Sequence, residues 1–269
     1  MAEAVRIAVF GAAGKMGGLI VRAIAETPAA RLVAAVERPD FPAMGADASR
    51  LAGLPESGVR VQADRPGQGA ADVWIDFSSP GVAVANASAA AQAGAALVLG
   101  TTGLSGQDKD AIASAAKKVA IVLAPNMSVG VNVMLRLVAD AARTLGSAYD
   151  IEIVEAHHRA KRDAPSGTAL RLAEAVAEAT GRDLGESARY ERHGDIGPRA
   201  ADEIGIQTVR GGDVVGDHTV FFLGQGDRIE ITHRASSRET FARGAVRAAL
   251  WLHGRPPGLF DMRAVLGLK

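Results

Sequence analysis

Val5-Arg6-Ile7-Ala8-Val9-Phe10-Gly11-Ala12-Ala13-Gly14-Lys15-Met16-Gly17 runs from an apolar segment through spaced glycines into an amphipathic one. Six residues ending at a glycine read as a strand, and Lys15 to Glu26 has the apolar spacing of a helix. Glycines between them let the backbone turn tightly and approach a pyrophosphate, which the following helix start attracts. The spacing Gly11-x-x-Gly14-x-x-Gly17 departs from the commoner G-x-G-x-x-G, so its context matters. Arg31 to Val36 reads as a second strand, closed by Glu37, 20 residues after Gly17. An acidic residue there suits the adenine ribose hydroxyls of NAD, and Arg38 beside it suits a 2′-phosphate.

The same alternation continues. Asp40 to Asp64, rich in Pro, Gly and Ser, reads as a loop with a short helix. Asp72 to Phe77, Ala95 to Leu99 and Val119 to Leu123 read as strands; Pro80 to Ala93 and Gly106 to Lys117 read as helices. Strands alternating with helices mean a parallel sheet covered by helices. Gly100-Thr101-Thr102 and Ala124-Pro125-Asn126-Met127 each leave the carboxyl end of a strand, the edge where open α/β sheets bind ligands.

After Val129 the pattern changes. A long helix, Val129 to Leu145, precedes the alternating Ile151-Glu152-Ile153-Val154. Farther on, Ile204 to Arg210, His218 to Gly224 and Arg228 to His233 read as strands joined by hairpin turns with Gly and Asp, and no helical spacers. An antiparallel or mixed sheet follows. Glu239 to Leu252 is helical again and is expected to return to the first domain.

Composition narrows the function. The 269 residues carry 30 Lys plus Arg and 30 Asp plus Glu, so binding of nucleic acid through bulk charge is not expected. Without cysteine there is no disulfide scaffold and no thiolate metal site. Met1-Ala2-Glu3-Ala4 lacks a basic leader region, Ile7 to Phe10 is too short for a signal peptide, and the Ala-rich stretches are broken before membrane-spanning length. A soluble cytoplasmic protein is expected, with no membrane partner. His193, His218, His233 and His253 have no ligand spacing, so no metal is expected either.

The densest chemistry lies in Glu155-Ala156-His157-His158-Arg159-Ala160-Lys161-Arg162-Asp163-Ala164-Pro165-Ser166-Gly167-Thr168-Ala169. It sits between an apolar strand and a helix running from Ala169 to Thr180. Cations gathered before a helix N-terminus, with its unsatisfied N–H groups and positive dipole end, predict a pocket for an anion, a carboxylate above all. Arg159 and Arg162 are expected in solvent; Asp163 either orients a neighbouring cation or caps the helix.

This stretch resembles the signature E-x-H-H-x-x-K-x-D-A-P-S-G-T-A of the 4-hydroxy-tetrahydrodipicolinate reductase family, formerly dihydrodipicolinate reductase, without a gap. The resemblance extends to Val9 to Gly17, Gly100-Thr101-Thr102-Gly103, Asn126 to Asn132, Ala235-Ser236-Ser237-Arg238 and Gly258-Leu259-Phe260-Asp261-Met262. It implies a Rossmann-like dinucleotide-binding domain with a parallel sheet, over residues 1–127 and 238–269. It also implies an α+β domain with a mixed sheet for substrate binding and tetramerisation, over 128–237. NADH or NADPH would lie on Gly11, Ala12, Ala13, Gly14, Lys15 and Met16, on the Glu37–Arg38 pair, and on Gly100, Thr101, Thr102, Ala124, Pro125, Asn126 and Met127. At the last position some relatives carry an aromatic residue that this chain lacks.

The implied reaction is reduction of a cyclic dicarboxylic imine with loss of water, a step of lysine and diaminopimelate synthesis. It needs hydride donor and acceptor in near-attack geometry, donors for two carboxylates, and an acid. By resemblance His157 is the acid/base residue and Lys161 the proton donor. His158, Gly167 and Thr168 bind substrate, and the molecule is a homotetramer. A different imine dehydrogenase, or a silent nucleotide-binding regulator, would not require both His157 and Lys161. Small and polar residues where the chain crosses between domains, Met127-Ser128-Val129-Gly130 and Ser236-Ser237-Arg238, suit a hinge that closes on cofactor and dicarboxylate.

Overall fold

The computed structural model describes residues 3–268. It divides into two compact units, Met1–Val129 with Arg238–Lys269, and Gly130–Ser237. Met1 and Ala2, part of the leader reading, and Lys269, the last residue of the expected first domain, lie outside the described residues.

The first unit opens with strand β1 (Val5–Phe10), helix α1 (Lys15–Ala25) and strand β2 (Ala30–Val36). The segment expected as a loop with a short helix contains helix α2 (Ala48–Leu51) and also a short strand, β3 (Val61–Gln62). The buried Asp47 carboxylate organises this loop by accepting N–H groups from Ser49, Arg50, Ser57 and Gly58. Then come β4 (Val73–Asp76), α3 (Pro80–Ala93), β5 (Ala96–Leu99), α4 (Gly106–Ala115) and β6 (Ala120–Leu123). All four residues of β4 are buried, as expected of a parallel strand covered on both faces. Local chemistry sets the helix ends. Pro80 opens α3 and Gly94 closes it in the left-handed region; Ser105 and Asp108 form a capping box on α4.

Helix α5 (Val129–Leu145) leads into the second unit. There follow β7 (Asp150–His157), α6 (Gly167–Thr180), α7 (Leu184–Ser187), β8 (Ala188–Arg189), β9 (Ile204–Arg210), β10 (Gly216–Leu223) and β11 (Arg228–Ala235). The sheet is mixed, in the order β11-β10-β7-β9-β8. One sequence expectation needs correction. β10 and β11 form the expected antiparallel hairpin, but β9 and β10 do not. β9 runs parallel to β7 on one side while β10 runs antiparallel to it on the other. Gly211 to Val215 must therefore cross the carboxyl end of β7, where its backbone bonds that of His157, His158 and Arg159. Ile151, Ile153, Ile204, Ile206, Val220 and Phe222, all essentially fully buried, pack with α5 and α6 in this unit's core.

The chain returns to the first unit in α8 (Glu239–Leu252), β12 (Gly258–Phe260) and α9 (Met262–Leu266). The finished sheet is parallel, in the order β12-β6-β5-β4-β1-β2-β3. Successive strands spread away from β1 in one direction and from β4 in the other. The carboxyl ends of those two neighbours flank the crevice where such sheets hold a dinucleotide. Helices α1 and α8 pack with one face of the sheet, α3 and α4 with the other. Gly244 of α8 lies so near Met127 that a Cβ there would stand 1.8 Å from the Met127 carbonyl oxygen.

Candidate active site

In the first unit, each glycine of the opening motif has its own physical reason. Gly11 has φ +68°, in the left-handed region, and donates its N–H to the Val36 carbonyl. A Cβ on Gly14 would come within 3.1 Å of the Gly11 carbonyl oxygen, and one on Gly17 within 2.0 Å. Gly14 is the N-cap of α1 yet provides no side-chain bond, and the first turn contains no acidic residue. The helix start is thus left open to an external anion, which fits a pyrophosphate. Ala13 and Lys15 line the exposed side of this turn, whereas Ala12 is buried in the core and Met16 packs partly against it.

Glu37, just past β2, accepts the Ala13 N–H at 3.3 Å and the Arg38 N–H at 3.1 Å. The acidic residue is therefore joined to the glycine turn. Arg38 is exposed, 3.4 Å from Asp40. At the carboxyl edge of the sheet, Thr102 is exposed and Thr101 buried, with its hydroxyl donated to the Ser78 carbonyl. A Cβ on Gly100 would strike the Phe77 ring at 2.4 Å. Ala124 is buried, Pro125 exposed, and Asn126 half-buried, accepting the Ser128 N–H. Met127 as a whole residue is 1 % exposed, its side chain in the core and its carbonyl oxygen against Gly244.

The loop leaving β4 was passed over by sequence reasoning. Asp76, fully buried, accepts the Ser78 N–H and the Asn86 side-chain amide, and Arg65 donates to Asn86. This network shapes the Phe77-Ser78 turn against Gly100 and Thr101. An Asp ending an otherwise apolar strand was the available signal.

In the second unit, β7 extends beyond the segment expected from sequence and carries His157 itself. Ile151, Ile153, Glu155 and His157 alternate onto one buried face. Glu155 has no exposed surface, and its oxygens accept five groups. Oε2 takes His157 Nδ1 at 2.6 Å and Arg210 Nη1 at 2.8 Å. Oε1 takes Arg210 Nη2 at 2.8 Å, the Ser166 N–H at 3.0 Å and the Thr208 hydroxyl at 3.2 Å. Burial pushes the Glu155 carboxyl up, but the bonds from Arg210, His157 and Ser166 outweigh it and pull it down to about 2. An ionised Glu155 obliges the His157 Nδ1 to be an N–H donor.

Burial lowers the His157 pKa, Glu155 opposes this, and Lys161 and Arg210 add to the lowering; the net direction is down. Its ring meets that of His218 edge-on, with centroids 5.2 Å apart. Burial pushes His218 down to about 4, so the ring is neutral at pH 7. Its Nε2 lies 3.0 Å from Ser166 Oγ, which also caps α6 by accepting the Ala169 N–H. Ser166, not Asp163, is therefore the helix cap. Asp163 takes the other role considered for it, pairing with Lys161 at 2.9 Å, and the Lys161 ammonium holds its carboxyl below the usual range. Lys161 and His158 are half-buried; Arg159 and Arg162 are exposed, as expected. Gly167 and Thr168 open α6 ahead of the capped amide. A Cβ on Gly167 would touch nothing within 4 Å, so this chain's own packing does not demand a glycine there.

The second unit therefore gathers His157, His158, Lys161 and the first turn of α6 around one strand end. Glu155 and Ser166, quoted in the motif, received no role from sequence; Arg210 was overlooked, and His218 was read only as lacking metal-ligand spacing. Continuing the two-residue alternation of β7 would have put Glu155 and His157 on its buried face. Arg210 arrives by strand pairing, which no local pattern reveals.

Comparison with known proteins places this arrangement. Residues 5–127 match the model for the N-terminus of dihydrodipicolinate reductase, and residues 130–266 match that for its C-terminus. The chain belongs to the dihydrodipicolinate reductase family. As in that family, its N-terminal part is a nucleotide-binding Rossmann domain. It is 57% identical over 98% of both chains to a 4-hydroxy-tetrahydrodipicolinate reductase of Anaeromyxobacter dehalogenans strain 2CP-1. It is 50% identical to one of Citrifermentans bemidjiense, over 98% of this chain and all of that one. Among solved structures, a dipicolinate-bound dihydrodipicolinate reductase from Paenisporosarcina sp. TG-14 shares the fold, with TM-score 0.72 and 24% identity over 96% of this chain and 97% of that one. Among the described residues, no helix is long and apolar enough to cross a membrane, and no group of His, Cys, Asp and Glu could hold a metal ion.

Proposed function

We propose that the chain reduces 4-hydroxy-tetrahydrodipicolinate to tetrahydrodipicolinate with loss of water, consuming one NADH or NADPH and one proton, in lysine and diaminopimelate biosynthesis. The observation that carries this reading is the strand-end cluster of His157, Lys161 and the α6 start, in a chain that shares 57% identity with a reductase of that name. The nicotinamide, when bound, supplies the hydride. The α1 turn holds the pyrophosphate, Glu37 the adenine ribose, and Arg38 the 2′-phosphate of NADPH, so both nucleotides serve. Thr102, Pro125 and the backbone about Asn126 and Met127 border the nicotinamide half.

The N–H groups of Gly167 and Thr168, with the Thr168 hydroxyl, take one substrate carboxylate at the positive end of α6. His158 adds a contact to substrate. Lys161, steered by Asp163, donates the proton, and His157 Nε2 exchanges protons with the reacting ring as acid or base. That the related enzyme from Paenisporosarcina sp. TG-14 is dipicolinate-bound supports a planar dicarboxylate as the ligand class. The assembly we infer is a homotetramer built through the mixed sheet, where Val209 and Ile229 are exposed.

The test is a steady-state assay on enzymatically generated 4-hydroxy-tetrahydrodipicolinate, following NADH and NADPH oxidation separately. Substrate-dependent oxidation is expected with both. None with either would refute the assignment.

A further inference from the structure

Glu155 is the first residue of the motif, and none of the chemistry above uses it directly. Yet it is the most heavily bonded side chain of the cluster, with no exposed surface. Its two oxygens face different parts of the site. Oε2 meets the ring of His157; Oε1 meets the N–H of Ser166, the cap of α6; Arg210 spans both. Arg210 also donates to the Asp163 carbonyl at 2.7 Å, in the same loop as Lys161. A single carboxylate thus fixes the ring that exchanges protons and the helix start that receives an anion.

We infer that Glu155, held by Arg210, is a positioning residue that fixes the tautomer of His157, sets its proton affinity, and locks that ring to the start of α6. This rests on the assignment of His157 as the acid/base residue. A carboxylate can only accept, so Nδ1 carries a proton in both charge states of the ring, and Nε2 is the nitrogen that gains or gives one. Nε2 lies at the Gly216 backbone, where even a Cβ would come within 3.0 Å, so glycine at the start of β10 keeps room beside the working nitrogen.

Glu155 on β7, Arg210 on β9 and Lys161 from the loop before α6 act on the charge of this ring, and His218 on β10 meets it edge-on; Asp163 bears on Lys161, His233 on β11 on His218, and Asp217 on His233. Of these only Glu155 bonds the ring. Its negative charge favours the imidazolium and Arg210 moderates that charge. Removing each should therefore move His157 in opposite directions, a signature that loosened packing would not produce.

The experiment is NMR of protein labelled with ¹⁵N-histidine, the ring being assigned by comparison with His157→Gln. In wild type, Nδ1 should stay protonated across the titration while Nε2 titrates. In Glu155→Gln the midpoint should fall, and in Arg210→Met it should rise. Turnover of Glu155→Gln should drop by about 10- to 1000-fold, a part of what general acid–base catalysis contributes, with NADH affinity unchanged. A wild-type ring protonated only at Nε2 when neutral, or midpoints that move together or not at all, would overturn the inference. If either variant fails to fold, the wild-type tautomer decides. A ring that behaves as described in a protein that turns over no 4-hydroxy-tetrahydrodipicolinate would defeat the proposed reaction and leave the positioning of His157 standing.

Discussion

Two adjacent glycines at the start of α1 should respond in opposite ways to the same substitution. In Gly17→Ala the added methyl would lie 2.0 Å from the Gly11 carbonyl oxygen and 2.6 Å from both Cα and the carbonyl carbon of Ala12. All three are backbone atoms of the nucleotide turn, so no rotamer relieves the clash. The turn or the helix must retreat by more than an ångström to reach ordinary contact. Overpacking of this kind costs about 1–3 kcal/mol. Replacing glycine inside a helix returns up to about 1 kcal/mol. The clash prevails, and Tm should fall by about 2–8 °C at this chain length. The same displacement takes the first-turn amides of α1, from Lys15 to Gly17, off their positions, and an ångström of misplacement can cost about 100-fold. Binding of NADH should therefore weaken by about 10- to 100-fold, or about 1.4–2.8 kcal/mol.

At Gly18 a Cβ would meet nothing within 4 Å. Gly18→Ala should collect the helix propensity alone, raising Tm by about 2–4 °C with NADH affinity unchanged. Thermal melting and quenching of NADH fluorescence on purified variants read both quantities. If Gly17→Ala binds NADH as wild type does, or if both variants lose affinity alike, the close approach of α1 to the turn is not what demands glycine.

Lys161→Ala should lower turnover by about 10²–10⁴-fold while leaving NADH affinity intact; near wild-type turnover would remove Lys161 from the mechanism. Arg38→Ala should weaken NADPH far more than NADH in parallel titrations, and equal losses would mean the guanidinium does not read the 2′-phosphate. Pyridine-2,6-dicarboxylate should inhibit competitively against substrate, and a non-competitive pattern would place it elsewhere. His218 titrates near 6.5 in the unfolded chain and at about 4 when folded. The neutral ring therefore contributes stability that is fully present above pH 6.5 and lost as pH falls toward 4. His218→Gln should flatten part of that slope in urea melts, His157 retaining its own share. Light scattering at micromolar concentration should give the mass of four chains, and a monomer would contradict the tetramer.

Legibility in the sequence followed the range of the interactions. Helices α3, α5 and α8 end where Pro80, Val129 and Glu239 on one side and Ala93, Leu145 and Leu252 on the other put them, because caps and apolar period are local. Strand pairing is not local. Ile204 to Arg210 looks the same whether it pairs with β10 in a hairpin or with β7 in parallel, and the sequence reading chose the hairpin. The pairing with β7 settles where Arg210 ends up, and Arg210 settles the charge on Glu155. The Asp76 network was missed for a related reason: its partners, Arg65 and Asn86, belong to a loop and a helix on either side of the strand. The glycines were legible as a motif but not as three separate constraints, one conformational and two steric.

In both units the proposed chemistry falls on the same local construction, a strand's carboxyl end followed by a helix start, and the two starts differ in how they are capped. After β1 the cap position is Gly14, which offers no side chain, and the first turn of α1 has no acid. The Gly14 N–H goes to the Gly11 carbonyl, and the first-turn amides from Lys15 to Gly17 face a group as large and as charged as a pyrophosphate with no side chain competing for them. After β7 the cap is Ser166, whose hydroxyl satisfies the third amide, at Ala169, and whose own N–H is taken by Glu155. The helix start ahead of that capped amide, at Gly167, lies at the motif loop, and its positive end suits the single charge of a carboxylate. The cap also binds the helix to Glu155 and His218, so the start of α6 and the His157 ring cannot shift independently. An uncapped start suits a cofactor that brings its own charge and leaves after each cycle. A capped start, tied to the proton-exchanging ring, suits a substrate whose reacting carbon must meet that ring in a fixed geometry.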